Sequence, residues 1–283
     1  MKPPEFDYVA PTSIPDAVSA LASDPDAKVL AGGQSLIPLL AFRLAAPSIL
    51  VDLARIEGLD QIGEENGQVR IGAMTRQRRA ESNPLLATQC PMVVEALKHV
   101  GHPQIRSRGT IGGSIAHGDP SAELPAVLVA LDGKVRAIGP NGERIIDAAD
   151  LYRGFLTTSL DEKEIVVDVQ LRAARPRTGW SVVEIARRPG DYALCGVACQ
   201  LETTIDGTVQ NARLALFGVG DRPVRASGVE AALNDGATPR EAAAMASDEL
   251  HPPDDVHGSA DYRRHLSRVV SERAILKALE RST

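Results

Sequence analysis

The sequence predicts an α+β protein, and three observations predict it. Short apolar runs of strand character alternate with capped helical patterns through the first half of the chain. From Trp180 onward the order changes to three strands followed by helices. Between these parts lies Ala173-Ala174-Arg175-Pro176-Arg177-Thr178-Gly179, a polar connector with Pro and Gly. A length of 283 residues suggests about two domains.

Taken in order, Ser13 is placed to cap a short helix, with Pro15 in its first turn and Ala17, Val18 and Leu21 on its apolar face. Lys28 to Ala31 reads as a buried strand that stops at Gly32-Gly33, after which Ser35 is a plausible cap for a helix through Leu40. Ser48 to Leu53 is the next strand, which completes a compact N-terminal unit. Gln68 to Ala73 opens a second region as a strand, followed by an arginine-rich helix that Thr75 can cap and a helix from Met92 to Val100. Ala126 to Leu131 has a helical pattern, whereas Lys134 to Ile138 and Glu164 to Leu171 are strand-like. The final region has strands at Trp180–Ala186, Ala193–Glu202 and Val209–Gly218, then helices near Val224–Leu233, Pro239–Ser247 and Asp261–Leu279.

Thirty-one basic against 37 acidic side chains give a net charge of -6. Nucleic-acid binding needs a basic field, and none is present. Aromatic residues make up only 3% of the chain, too few for single-strand stacking platforms. No apolar run approaches the ~18 residues of a membrane span, and the N-terminus MKPPEFDYVAP lacks the apolar stretch of a secretory signal. Cys90, Cys195 and Cys199 fit no structural metal pattern and read as small buried hydrophobes, which points to a reducing, cytoplasmic location.

The chemistry is concentrated in two double glycines, Gly32-Gly33 and Gly112-Gly113. Each follows an apolar approach and precedes a small hydroxyl residue, Ser35 or Ser114. Glycine lets a ligand approach the backbone, and successive free amides form an anion-binding concavity. Two such turns facing each other would hold a diphosphate without a lysine; either alone reads equally well as a simple tight turn. Neither G-x-G-x-x-G opening a helix nor G-x-x-x-x-G-K-[ST] occurs, so a dinucleotide would need another architecture.

AGGQSLIPLL at 31–40 and IRSRGTIGGSIAHGDPSAELP at 105–125 together resemble the FAD-binding medium subunit of the molybdenum hydroxylases, the group of carbon monoxide dehydrogenase, xanthine dehydrogenase and aromatic hydroxylases. FDYVAPTSIPDAVSALAS resembles that family's opening, and ARRPGDYALCGVA at 186–198 the start of its C-terminal flavoprotein domain. The resemblance runs from the N-terminus to about Gly220. It implies a two-subdomain FAD-binding fold of the vanillyl-alcohol-oxidase (PCMH) type, plus a C-terminal antiparallel sheet with helices. The corresponding boundaries are 1–55, 56–177 and 178–283.

Carried over residue by residue, the resemblance implies that Ala31, Gly32, Gly33, Gln34, Ser35 and Leu36 wrap the FAD diphosphate. A second loop, Thr110, Ile111, Gly112, Gly113 and Ser114, would close on it. His117 and Asp119 would line the ribityl or flavin region, and Glu123 the adenosine side. Ile165 would give a backbone contact to the flavin ring, and Tyr192 an aromatic beside it. Tyr192 also fits a plain core residue, and Glu123 a simple helix start. Arg187, Arg188 and Asp191 fit either a surface ion-pair cluster or the flavin edge, and His102 reads as a capping or packing residue.

Ser107 stands where the family commonly has asparagine, and Gln34 where carbon monoxide dehydrogenases carry histidine. Glu184 lies near a lysine position of eukaryotic xanthine dehydrogenases. These departures lean away from carbon monoxide as substrate and from NAD reduction. The sequence lacks cysteine sets for iron–sulfur clusters and any molybdopterin motif. The resemblance supplies both in partner chains, a large molybdenum subunit and a small iron–sulfur subunit, assembled as a dimer of heterotrimers. FAD in this chain would then relay electrons to an external acceptor. The alternative is a self-contained FAD oxidase or dehydrogenase acting on its own small substrate.

Overall fold

The computed structural model describes residues 2–248 and 250–282. Its N-terminal part comprises β1 (Asp7–Val9), α1 (Ile14–Ala22), β2 (Lys28–Leu30), α2 (Leu36–Ala41) and β3 (Ile49–Asp52). The three strands form a parallel sheet in the order β1-β3-β2. Ser13 caps α1 as its sequence suggests, accepting from the Asp16 N–H at 3.3 Å, and Ala17, Val18 and Leu21 are buried. Ser35 does not cap α2. Its backbone is already helical, at φ -98° and ψ -45°, so its hydroxyl is not turned onto the first-turn amides. The strand expected to be buried, β2, is exposed at Lys28 and half-buried beyond it because it lies at a sheet edge.

The second part contains β4 (Ile62–Glu65), β5 (Gln68–Gly72), α3 (Gln77–Glu81), α4 (Pro84–Gln89), α5 (Pro91–Leu97), α6 (Pro103–Arg108), α7 (Ile111–His117) and α8 (Glu123–Ala130). It continues through β6 (Lys134–Gly139), β7 (Gly142–Asp147), α9 (Ala148–Leu151), β8 (Tyr152–Gly154), β9 (Thr157–Thr158) and β10 (Ile165–Arg172). An antiparallel sheet in the order β4-β5-β10-β6-β7 forms its floor. Thr75 is not the cap of α3. Its carbonyl accepts from the Ile111 N–H and its hydroxyl is buried without a partner, so the helix starts after Arg76.

The last part has β11 (Thr178–Ala186), β12 (Ala193–Thr203), β13 (Val209–Phe217) and β14 (Val224–Arg225), paired antiparallel in that order. Helices α10 (Ser227–Asn234), α11 (Pro239–Ala244) and α12 (Ala260–Arg281) follow. Residues 224 and 225 are strand, not the start of a helix, because Arg225 is tied to Asp132 and to the Val129 carbonyl across the chain. One face of β11–β13 packs against α12 and the other joins the core of α5 and α8. Phe217, Ala198 and Ala215 therefore belong to the same buried cluster as Met92, Leu97 and Leu128.

Candidate functional site

The two double-glycine segments, 80 residues apart in sequence, meet in space. A Cβ on Gly32 would lie 2.6 Å from the Arg108 carbonyl oxygen and 2.8 Å from the Gly109 Cα. One on Gly113 would lie 2.6 Å from the Thr110 hydroxyl oxygen, 3.4 Å from the Ala31 Cβ and 4.0 Å from the Gly32 nitrogen. Only hydrogen at both positions permits this approach. Gly33 adopts φ +73°, which turns the chain out of β2 and into α2. Gln34 braces the turn, its amide nitrogen donating to the Gly32 carbonyl at 3.2 Å, and Leu36 opens the helix behind it.

The two segments differ in what they offer a ligand. Among the described residues, the backbone N–H groups of Gly32, Gly33, Gln34 and Ser35 donate to no protein acceptor. The second segment is not a loop. It is the first turn of α7, because Thr110 is extended and its hydroxyl accepts from the Gly113 N–H at 3.1 Å. Ile111 donates to the Thr75 carbonyl, Gly112 to Ala73 and Ser114 to Thr110, at 3.0, 2.8 and 3.2 Å. The first turn thus supplies open donors, and the second a smooth backbone wall with its own donors engaged.

At the far end of α7, Gly118 turns the chain at φ +63° into a segment that carries the acids Asp119 and Glu123. Burial lowers the pKa of His117; the charge of Asp119 opposes the shift and that of Lys28 adds to it. Asp119 accepts from the Ser121 N–H at 2.8 Å, and the Gly218 N–H of the C-terminal part donates to the next carbonyl, Pro120, at 2.8 Å. Glu123 begins α8 and is only 8% exposed. Burial first, then the charge of Glu184, raise its pKa to about 8; its own backbone N–H and Arg106 oppose the rise.

Tyr192 is not a core residue. The residue is 64% exposed. Desolvation at the hydroxyl end and the Asp119 carboxylate raise its pKa to about 12. Ile165 opens β10 opposite Ile138 and is only 1% exposed, packed in the cluster with Met74 and Val167.

His102 precedes α6 without a side-chain cap bond and packs under Gly190. Arg187, Arg188 and Asp191 form no ion pair with one another among the described residues. Glu184 is the site residue that sequence reading noted only as a departure. It projects from β11 with its side chain 8% exposed, one oxygen 3.4 Å from His99 Nδ1 and the other buried without a partner. The signal was a lone acid within an apolar strand pattern.

Two family profiles match the chain. The "FAD binding domain in molybdopterin dehydrogenase" covers residues 4–172, and the "CO dehydrogenase flavoprotein C-terminal domain" covers residues 180–278. The chain is 42% identical to the nicotine 6-hydroxylase medium subunit of Paenarthrobacter nicotinovorans, over 98% of this chain and 99% of that one. It is 37% identical to the carbon monoxide dehydrogenase medium chain of Hydrogenophaga pseudoflava, over 99% of each. The structure of carbon monoxide dehydrogenase from Hydrogenophaga pseudoflava lacking its Mo-pyranopterin moiety superposes with a TM-score of 0.97 at 39% identity, over 99% of each chain. Quinoline 2-oxidoreductase from Pseudomonas putida 86 gives a TM-score of 0.94 at 39% identity, also over 99% of each chain.

Proposed function

Because this chain belongs to the FAD-binding medium subunits of the molybdenum hydroxylases, we propose that it holds FAD along the seam between its two glycine segments and serves as the electron outlet of such a complex. The open amides of Gly32 to Ser35 are the observation that carries this reading. Unpaired backbone donors beside a wall without Cβ atoms suit a diphosphate, whose oxygens accept hydrogen bonds and tolerate no steric screen.

In this reading Ala31 through Leu36 bind the diphosphate on one side, and Thr110, Ile111, Gly112, Gly113 and Ser114 shape the other. His117 and Asp119 line the path from there to the ring system. Tyr192 offers its exposed face to the isoalloxazine, Ile165 its backbone, and Glu123 its carboxyl to the adenosine side. Bound FAD supplies redox chemistry that accepts electrons singly and releases them in pairs; the protein binds, orients and screens it. No side chain of this chain is required as a general base.

The same reading gives the chain a large molybdopterin subunit and a small iron–sulfur subunit as partners, in a dimer of heterotrimers, with an external electron acceptor. The three parts 1–55, 56–177 and 178–283 are its subdomains. Three free, buried thiols support a cytoplasmic location, and no described helix is long and apolar enough to cross a membrane.

Purification tests the proposal. The isolated chain is expected to be yellow, with about one FAD per chain, and inert towards organic substrates until both partner subunits are added. Turnover by the chain alone would move the assignment to a self-contained oxidase. A colourless chain that takes up no FAD would overturn the cofactor assignment.

A further inference from the structure

Tyr192 and Asp119 stand on segments far apart in sequence, one running into β12 and the other between α7 and α8. A buried cation on the last helix connects them. Arg263 of α12 is 4% exposed, and its Nη1 donates to the Leu194 carbonyl at 2.7 Å and to the Gly218 carbonyl at 2.8 Å. Its Nη2 donates to Asp255 Oδ2 at 2.7 Å. Asp255 is itself fixed, its Oδ1 accepting from the His257 and Gly258 N–H groups at 2.8 and 3.1 Å.

Both carbonyls belong to backbone that carries a residue assigned above to the flavin. Leu194 lies two residues beyond Tyr192, at the start of β12. Gly218 adopts φ +75°, and a Cβ there would lie 2.6 Å from the Ala193 carbonyl oxygen, so its backbone packs directly on the residue after Tyr192. The Gly218 N–H donates to the Pro120 carbonyl at 2.8 Å, next to Asp119. Asp119 accepts from the Ser121 N–H at 2.8 Å, which closes that turn. The guanidinium, Gly218 and the two segments thus form one hydrogen-bonded node that spans the FAD-binding and C-terminal parts of the chain.

Fastening a helix to a sheet does not require this arrangement. Helix α12 already packs along β11 and β12 and is tied to α5 through Glu95. An apolar side chain would serve that purpose, whereas a buried guanidinium is costly to desolvate and needs well-placed acceptors to offset the cost.

We propose that Arg263 is a positioning residue for the flavin site, setting Tyr192 and Asp119 relative to each other through Leu194 on one side and Gly218 on the other. This inference rests on the FAD reading above. A planar fork with donors in fixed directions holds two carbonyls and a carboxylate at once, which the point charge of a lysine does not reproduce.

The experiment compares the full wild-type chain with Arg263→Lys, Asp255→Asn and Glu95→Gln. Glu95→Gln loosens α12 at its contact with α5 and controls for plain destabilisation. The first readout is backbone hydrogen exchange by mass spectrometry without added FAD. Arg263→Lys is expected to speed exchange at least about tenfold in peptides covering 118–122 and 190–194 and at the Gly218 amide. Asp255→Asn is expected to act in the same direction, and Glu95→Gln to leave these segments unchanged. With FAD bound, Arg263→Lys is expected to shift the flavin absorption or its reoxidation rate, and to do so less in a Tyr192→Ala background.

Unchanged exchange in these segments, or an equal rise in Glu95→Gln, overturns the positioning role. Faster exchange with an unaltered flavin spectrum and reoxidation rate overturns it as well. Absence of FAD uptake by the wild type strikes instead at the cofactor assignment, and the exchange pattern alone then decides whether Arg263 sets the two segments. If Arg263→Lys does not fold, Asp255→Asn carries the same comparison.

Discussion

Gly113 separates steric from electrostatic roles at the site. Its φ is not in the left-handed region, so the backbone would accept another residue. What forbids one is the 2.6 Å gap to Thr110 and the 3.4 Å gap to Ala31. Gly113→Val is therefore expected to spoil the fit between the two glycine segments and to lower retained FAD at least about tenfold, with far-UV circular dichroism little changed. Undiminished flavin content after gel filtration would count against the diphosphate assignment. Tyr192→Ala should leave FAD bound but alter its absorption spectrum or its reoxidation rate, since an exposed ring contributes little to the core. An unchanged spectrum and rate would detach Tyr192 from the flavin.

The first glycine turn was legible in sequence because its conformation is local. Gly33 must reach positive φ, and the residues that follow it begin a helix. The helical start at Gly112 was not legible, because it depends on Thr110 accepting from Gly113 while Gly112 bonds Ala73 in a distant segment.

Among elements, the strands of the C-terminal sheet were read almost to the residue, since burial on both faces gives them near-continuous apolar runs. Edge elements such as β4 and β7 escaped notice because their residues are mostly exposed and carry no apolar pattern. Helix α12 was foreseen, but the reason for its position was not. Arg263 is 4% exposed, and its guanidinium donates to the carbonyls of Leu194 and Gly218 at 2.7 and 2.8 Å and to Asp255 at 2.7 Å. Those bonds lock the helix onto the ends of β12 and β13. Arg263→Met would keep the bulk but remove the guanidinium from the two carbonyls and from Asp255 Oδ2. It is expected to cost about 3 kcal/mol, read as a lowered midpoint in urea. A loss below about 0.5 kcal/mol would show that water replaces the guanidinium without penalty.

Across the whole molecule, α12 is also clamped to α5. Lys277 and Arg281 reach the Glu95 carboxylate at 2.8 and 2.6 Å, and Arg281 stacks over Trp180 with 5.5 Å to the ring centroid. Burial alone would raise the Glu95 pKa, but the two cations outweigh it and hold the carboxyl below its ordinary range. A carboxylate depressed in the folded state stabilises above its unfolded pKa, and that contribution disappears as pH falls through the folded value. Glu95→Gln should therefore lower the melting temperature at neutral pH and flatten its decline on acidification. Identical acid slopes for variant and wild type would remove Glu95 from the stability balance.

The buried cluster that joins Phe217 and Ala198 to Leu97 and Leu128 has a consequence for how such a chain can be altered. A gene truncated at the connector near 175 would not yield a smaller flavin carrier. It would leave α5 and α8 with a bare greasy flank and invite clumping, so the tail must be translated with the part it covers.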